Sequence, residues 1–252
     1  MNQRIFSILL VLALLLSGCA AQKSVPSADI LATTAPMAQI VGAITAGTEL
    51  TVATLISEPV SCVHDYALSV DQMRAVESAH LVVISGAGLE EFMGDALASC
   101  EAVIDASEGL ELLPGEEEYD PHTWLAPENM IAMTRTVETA LAAEYPQHAA
   151  LFAENADVWC EKLEALQAYG EQQLASLSCR KLVTFHDGFA YFAQAFDLEI
   201  AASMEIEAGS EPSARELEEI ISLLQDQGIP AVFTEINGTA DAAELVARET
   251  GC

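Results

Sequence analysis

Residues 147–178, QHAALFAENADVWCEKLEALQAYGEQQLASLS, keep apolar side chains at helical spacing with no proline to stop them. A helix of ~30 residues spans ~45 Å. That is long for one layer of a compact fold and suits a strut between two lobes. Pro146 sets the segment apart from the helix before it. Gly170 is its weak point, at about 1 kcal/mol relative to alanine in a helix interior.

The chain on either side of the strut follows one rhythm. Before it, ADILATTAP, ELTVATLIS, HLVVISGAG and EAVIDAS read as strands, and MAQIVGAITAG, SVDQMRAVESA and LEEFMGDALASC as the helices between them. Gly47 closes the first helix and Ser69 caps the second. HLVVISGAG is an almost unbroken apolar run, the mark of a strand buried on both faces. PENMIAMTRTVETALAAEY, residues 127–145, enters a helix through its proline. After the strut, RKLVTFHD, LEIAASMEI and PAVFTEI read as strands, and GFAYFAQAFD, PSARELEEIISLLQDQG and TADAAELVARETG as helices. This order predicts an α/β fold of two lobes with mostly parallel sheets, bridged by one long helix. The expected bounds are 29–145 for the N-terminal lobe, 146–178 for the linking helix and 179–252 for the C-terminal lobe. No strand follows the last helix, so the C-terminal lobe reads as incomplete.

At the start of the chain, Arg4 precedes an apolar run from Ile5 to Leu16, too short to span a bilayer comfortably. It ends in LLSGC, which resembles a bacterial lipobox. That resemblance implies a signal peptide over residues 1–18, cleavage before Cys19 and a diacylglycerol on its thiol. Residues 19–28 read as a tether. The expected product is extracytoplasmic, lipid-anchored to the cell membrane, at the cell surface or in the periplasm. The chain carries 39 acidic against 9 basic residues, a net charge of −30. Such a surface repels nucleic acid and attracts cations. No CxxC pair occurs, which excludes a zinc ribbon. Cys62, Cys100, Cys160, Cys179 and Cys252 read as buried or free thiols.

Three histidines share one kind of position. His64 lies in SCVHDYALS, between a strand and a helix; His122 lies in EYDPHTWL, ahead of a helix; His186 lies in LVTFHDGF, at a strand end. In open α/β folds the ligand crevice lies beyond the carboxyl ends of strands, so these imidazoles can converge. Neutral imidazole suits Zn²⁺, Cu²⁺ and Ni²⁺. The neighbouring Asp65, Asp120 and Asp187 are candidates to orient the second ring nitrogens. Taken singly, each histidine is more often structural, and spacing alone does not decide. His80 and His148 read as structural or surface residues, and the Glu run before Tyr119 as a solvated loop.

The chain resembles the metal-specific solute-binding lipoproteins of bacterial ABC importers, the zinc and manganese receptors. The matching stretches are LATTAPMAQIVGAITAG, HDY followed by SVDQMRAVESAHLVVISGAGLEEFM, DPHTWLAPEN, KLVTFHDGFAYFAQAF, EAGSEPSARELEEI and VFTE. They occur in the family's order and cover nearly all of the mature chain. The resemblance implies two α/β lobes around a single metal, with His64, His122 and His186 as ligands. It also implies an ABC permease as partner, a monomer, and no enzymatic activity. Manganese-selective relatives tend to carry Glu at the third position. His186 there favours zinc, with manganese or a broader divalent specificity as the alternative. A surface adhesin is compatible with the same receptor.

Three departures from the family pattern stand out. SEPVSCVH replaces the usual loop before the first ligand and puts Cys62 two residues from His64. SEGLELLPGEEEYD is acidic but has no histidine. The C-terminal Asp of an LDP-like motif is absent, which leaves the fourth position to water or to Glu235 in FTEI. A His₃-water site is also the layout of a zinc hydrolase or hydratase. Against that reading, HExxH and GxSxG are both absent.

Overall fold

The computed structural model describes residues 25–57, 66–115, 118–203, 212–234 and 241–252. The expected signal peptide and Cys19 lie outside the described residues. Strand β1 (Ile30–Ala32) is fully buried at the centre of a parallel sheet, flanked by β2 (Val52–Thr54) and β3 (Leu81–Ile84), with β4 (Ala102–Asp105) beyond β3. Leu31 pairs with Ala53 on one side and with Val82 on the other. Both faces of the sheet are covered, as the apolar run at β3 predicts. Ile30, Ala32, Leu81 and Val83 face a core built on helices α1 (Ala35–Ile44) and α4 (Pro127–Glu144) and the long helix α5 (Ala149–Leu174). Leu31 and Val82 face Leu55, Met93 and Val76, the last on α2 (Val70–Ser78). Ser69 caps α2 in a reciprocal box with Gln72, an arrangement worth roughly 1 kcal/mol.

LEEFMGDALASC does not form the expected helix. It breaks into a 3₁₀ turn, Glu91–Met93, and a single turn, α3 (Gly94–Leu97). The cause is tertiary. The buried Glu90 carboxylate accepts the Ser85 and Gly86 N–H groups and the Thr33 hydroxyl, which holds the chain back against the strand ends. Gly94 then weakens continuation.

Pro146 interrupts the chain after α4, and α5 runs unbroken for 26 residues. Its N-terminal part, as far as Leu163, buries Phe152, Ala156 and Leu163 in the N-terminal core. Its second half meets the other lobe at Gly170, where a Cβ would lie 2.3 Å from Phe196 Cε1. The residue that weakens the helix by propensity is therefore the notch into which Phe196 docks. Arg180 fastens this junction by donating to the carbonyls of Leu174, Phe196 and Asp197.

The second lobe carries the parallel strands β5 (Lys181–Thr184) and β6 (Glu199–Ser203), with α6 (Ala190–Ala195) between them. Helix α7 (Ala214–Gln227) follows, capped by Ser213, and then α8 (Asp241–Thr250). Val183, Phe185, Ile220, Leu224, Ile229 and Val246 form its core. PAVFTEI, expected as a strand, contributes one bridge among its described residues, Phe233 to Thr184. Pro230 has no N–H to give to a ladder, which limits pairing at its start. No helix among the described residues is long and apolar enough to cross a membrane.

Candidate metal centre

His122 is held from both sides in sequence. The Asp120 carboxylate accepts the His122 backbone N–H at 2.9 Å and its Nδ1–H at 2.7 Å. A carboxylate only accepts, so Nδ1 carries a proton, and in the neutral imidazole the lone pair then lies on Nε2. The 3₁₀ turn Thr123–Leu125 follows, pinned where the Asn129 amide donates to the Thr123 carbonyl. The Trp124 ring lies 5.4 Å from the imidazole. Asp120 is buried, and the His122 side chain is 12% exposed.

His186 stands two residues beyond β5, at the carboxyl end of its sheet. Phe185 anchors it by burying its ring and donating its N–H to the Phe233 carbonyl. The two imidazoles, 64 residues apart in sequence, meet edge to face at 4.9 Å between centroids, with their Nε2 atoms 3.1 Å apart. Two nitrogens on one tetrahedral zinc, each at 2.0–2.1 Å, are ~3.3 Å apart. The pair therefore stands at chelating separation. Gly188 makes this approach feasible: a Cβ there would lie 2.8 Å from His186 Cδ2 and 3.0 Å from His122 Cδ2.

Of the sequence candidates, the structure brings His122 and His186 together. His64, with Cys62 and Asp65, falls in residues 58–65, and Glu235 falls in residues 235–240; both segments lie outside the described residues. Among the described residues, no group of three or more His, Cys, Asp or Glu could hold a metal. Asp187 is exposed. His80 lies at the opposite end of the first sheet, between Glu101 at 3.0 Å and Glu144 at 2.8 Å. These carboxylates raise its pKa, Glu144 the more strongly. His148 stands 3.3 Å from Glu49. Gly188 was not singled out from sequence. Its one signal is its place, two residues after a candidate ligand.

The family model of zinc-uptake complex component A, periplasmic (ZnuA), matches residues 30–252. The manganese-binding lipoprotein MntA of Bacillus subtilis (strain 168) is 30% identical over 268 residues, covering 100% of this chain and 87% of that protein. The crystal structure of ZnuA is similar at a TM-score of 0.81 and 28% identity, covering 90% of this chain and 89% of that one. The Zn(II)-bound ZnuA-like domain of Streptococcus pneumoniae AdcA is similar at a TM-score of 0.78 and 26% identity, covering 90% and 86%. The match over residues 30–252 and the likeness to MntA along the whole chain show that it belongs to the ZnuA family, the metal-binding solute receptors of ABC importers.

Proposed function

We propose that the chain captures a zinc ion outside the cytoplasm and hands it to an ABC permease, with His64, His122 and His186 as ligands. The observation that carries this reading is the 3.1 Å approach of the His122 and His186 Nε2 atoms, with the His122 proton held on Nδ1 by Asp120. Nitrogen ligands at this spacing suit zinc better than manganese, which prefers harder oxygen donors. The fourth position belongs to water or to Glu235. The lipid on Cys19 and the tether keep a monomeric receptor within reach of its permease.

Capture requires neutral imidazoles, so protons compete with the metal. A surface with a net charge of −30 raises the encounter rate with cations. Release requires the lobes to part, because His122 and His186 belong to different lobes. Calorimetry on the intact chain tests the proposal. Saturable one-to-one Zn²⁺ binding is expected, tighter than Mn²⁺, and lost in a His64→Ala/His122→Ala double variant. Absence of saturable zinc binding, or tighter manganese binding, overturns it. Manganese is the second reading, supported by the likeness to MntA. The zinc-loaded chain is expected to show no esterase or hydratase turnover.

A further inference from the structure

Tyr191 is among the largest fully buried side chains and sits on α6 in the second lobe. Its hydroxyl nonetheless accepts a hydrogen bond from a first-lobe backbone group, the Leu113 N–H at 2.9 Å. Leu113 directly precedes an antiparallel bridge between Pro114 and Tyr119. The Leu113 carbonyl accepts the N–H of Asp120 at 2.9 Å. Asp120 is the residue that fixes the His122 imidazole. Leu113 is thus held on its N–H by Tyr191 and on its carbonyl by the backbone of Asp120.

These contacts close a circuit. It runs from His186 along the chain to Tyr191 and through its hydroxyl to Leu113. From there it passes to Asp120 and to Nδ1 of His122, and returns across the 3.1 Å gap to His186. Helix α6 also packs against the Thr123–Leu125 turn, so it touches the chain on both sides of His122. Burial raises the Tyr191 phenol pKa, the Leu113 N–H offsets part of that rise, and the Asp120 charge adds to it.

We propose that Tyr191 is a positioning residue for the metal site: its hydroxyl braces Leu113, and through it Asp120, across the lobes and so sets the separation of the two imidazoles. This rests on the reading that His122 and His186 bind the metal. In this role Tyr191 acts on the His122 side of the site through Leu113 and Asp120.

The test uses the intact chain, with Zn²⁺ calorimetry and chelator-driven dissociation rates for wild type, Tyr191→Phe, Asp120→Asn and the double variant. Groups that orient metal-binding histidines typically change affinity about 10- to 100-fold. Tyr191→Phe is expected to weaken zinc binding about tenfold, mostly by faster dissociation. The double variant is expected to bind no more weakly than Asp120→Asn alone, because both changes cut one circuit. Wild-type affinity and dissociation in Tyr191→Phe overturn the proposal, as do losses that multiply in the double variant. A wild type that binds no zinc overturns the receptor reading and the brace together, whereas normal wild-type binding with an unaffected Tyr191→Phe removes only the brace. If Tyr191→Phe folds poorly, hydrogen exchange at the Leu113 amide of the wild type decides. Protection at least tenfold greater with zinc supports the brace, and equal protection refutes it.

Discussion

Replacing Gly188 with alanine adds a single methyl group at the point where the two imidazoles cross. That Cβ would stand 2.8 Å from His186 Cδ2, 2.9 Å from His186 Nε2 and 3.0 Å from His122 Cδ2. Carbon contacts settle at about 3.5 Å, so each ring must retreat by roughly 0.5 Å. Gly188 is not among the glycines with positive φ, so alanine suits its backbone and the penalty is purely steric. Overpacking of this kind costs about 1–3 kcal/mol of stability. The larger consequence falls on the metal, because ligand distances in a working site hold to about ±0.2 Å. A displacement of ~0.5 Å exceeds that tolerance, and zinc affinity is expected to fall about 10- to 100-fold, the range seen when histidine ligands lose their orientation. Calorimetry and chelator-driven dissociation measure the loss, with circular dichroism as the check on folding. A folded Gly188→Ala chain that binds and releases zinc like wild type would refute both the steric reasoning and the assignment of this crossing as the metal centre.

Three further outcomes follow from the same geometry. Gly170→Ala gains about 1 kcal/mol of helix propensity but drives a Cβ to 2.3 Å from Phe196, an overpacking cost of about 1–3 kcal/mol, so the net change is destabilising by up to about 2 kcal/mol, read as a lower thermal midpoint. His80 faces a carboxylate from each ring nitrogen, which favours its protonated form and raises its folded pKa, Glu144 contributing more than Glu101. Its stabilisation is fully present below its unfolded pKa of about 6.5 and is lost as pH rises through the raised folded value; it amounts to well under 1 kcal/mol because the group is exposed. Urea unfolding of wild type should show this decline and His80→Gln should not. Free zinc at a thousand times its dissociation constant adds about 4 kcal/mol, so chelation should lower the melting temperature by about 10 °C; an unchanged melting temperature would count against a native-state zinc site.

Much of the architecture was legible because its signals are local. The buried run at β3, the cap at Ser69, Pro127 at a helix entrance and the unbroken periodicity of α5 each depend on neighbours a few residues away. Two readings went astray where distant contacts took over. The Glu90 carboxylate, drawn back to Ser85, Gly86 and Thr33, breaks the helix expected after β3. Pro230 and a half-exposed Phe233 leave a bridge among the described residues of the segment expected as a strand.

The sequence by itself determined most of the elements, their order, and that His186 stands at the end of a strand. Those properties follow from periodicity, propensity and capping, which act over one or two turns. Tertiary structure alone decided that His122 and His186 meet at 3.1 Å, that Gly170 and Gly188 are clearances for Phe196 and for the two imidazoles, and that Tyr191 reaches Leu113. Each of these is a contact between groups brought together when two lobes pack against one helix, and no short-range pattern encodes the distance between them.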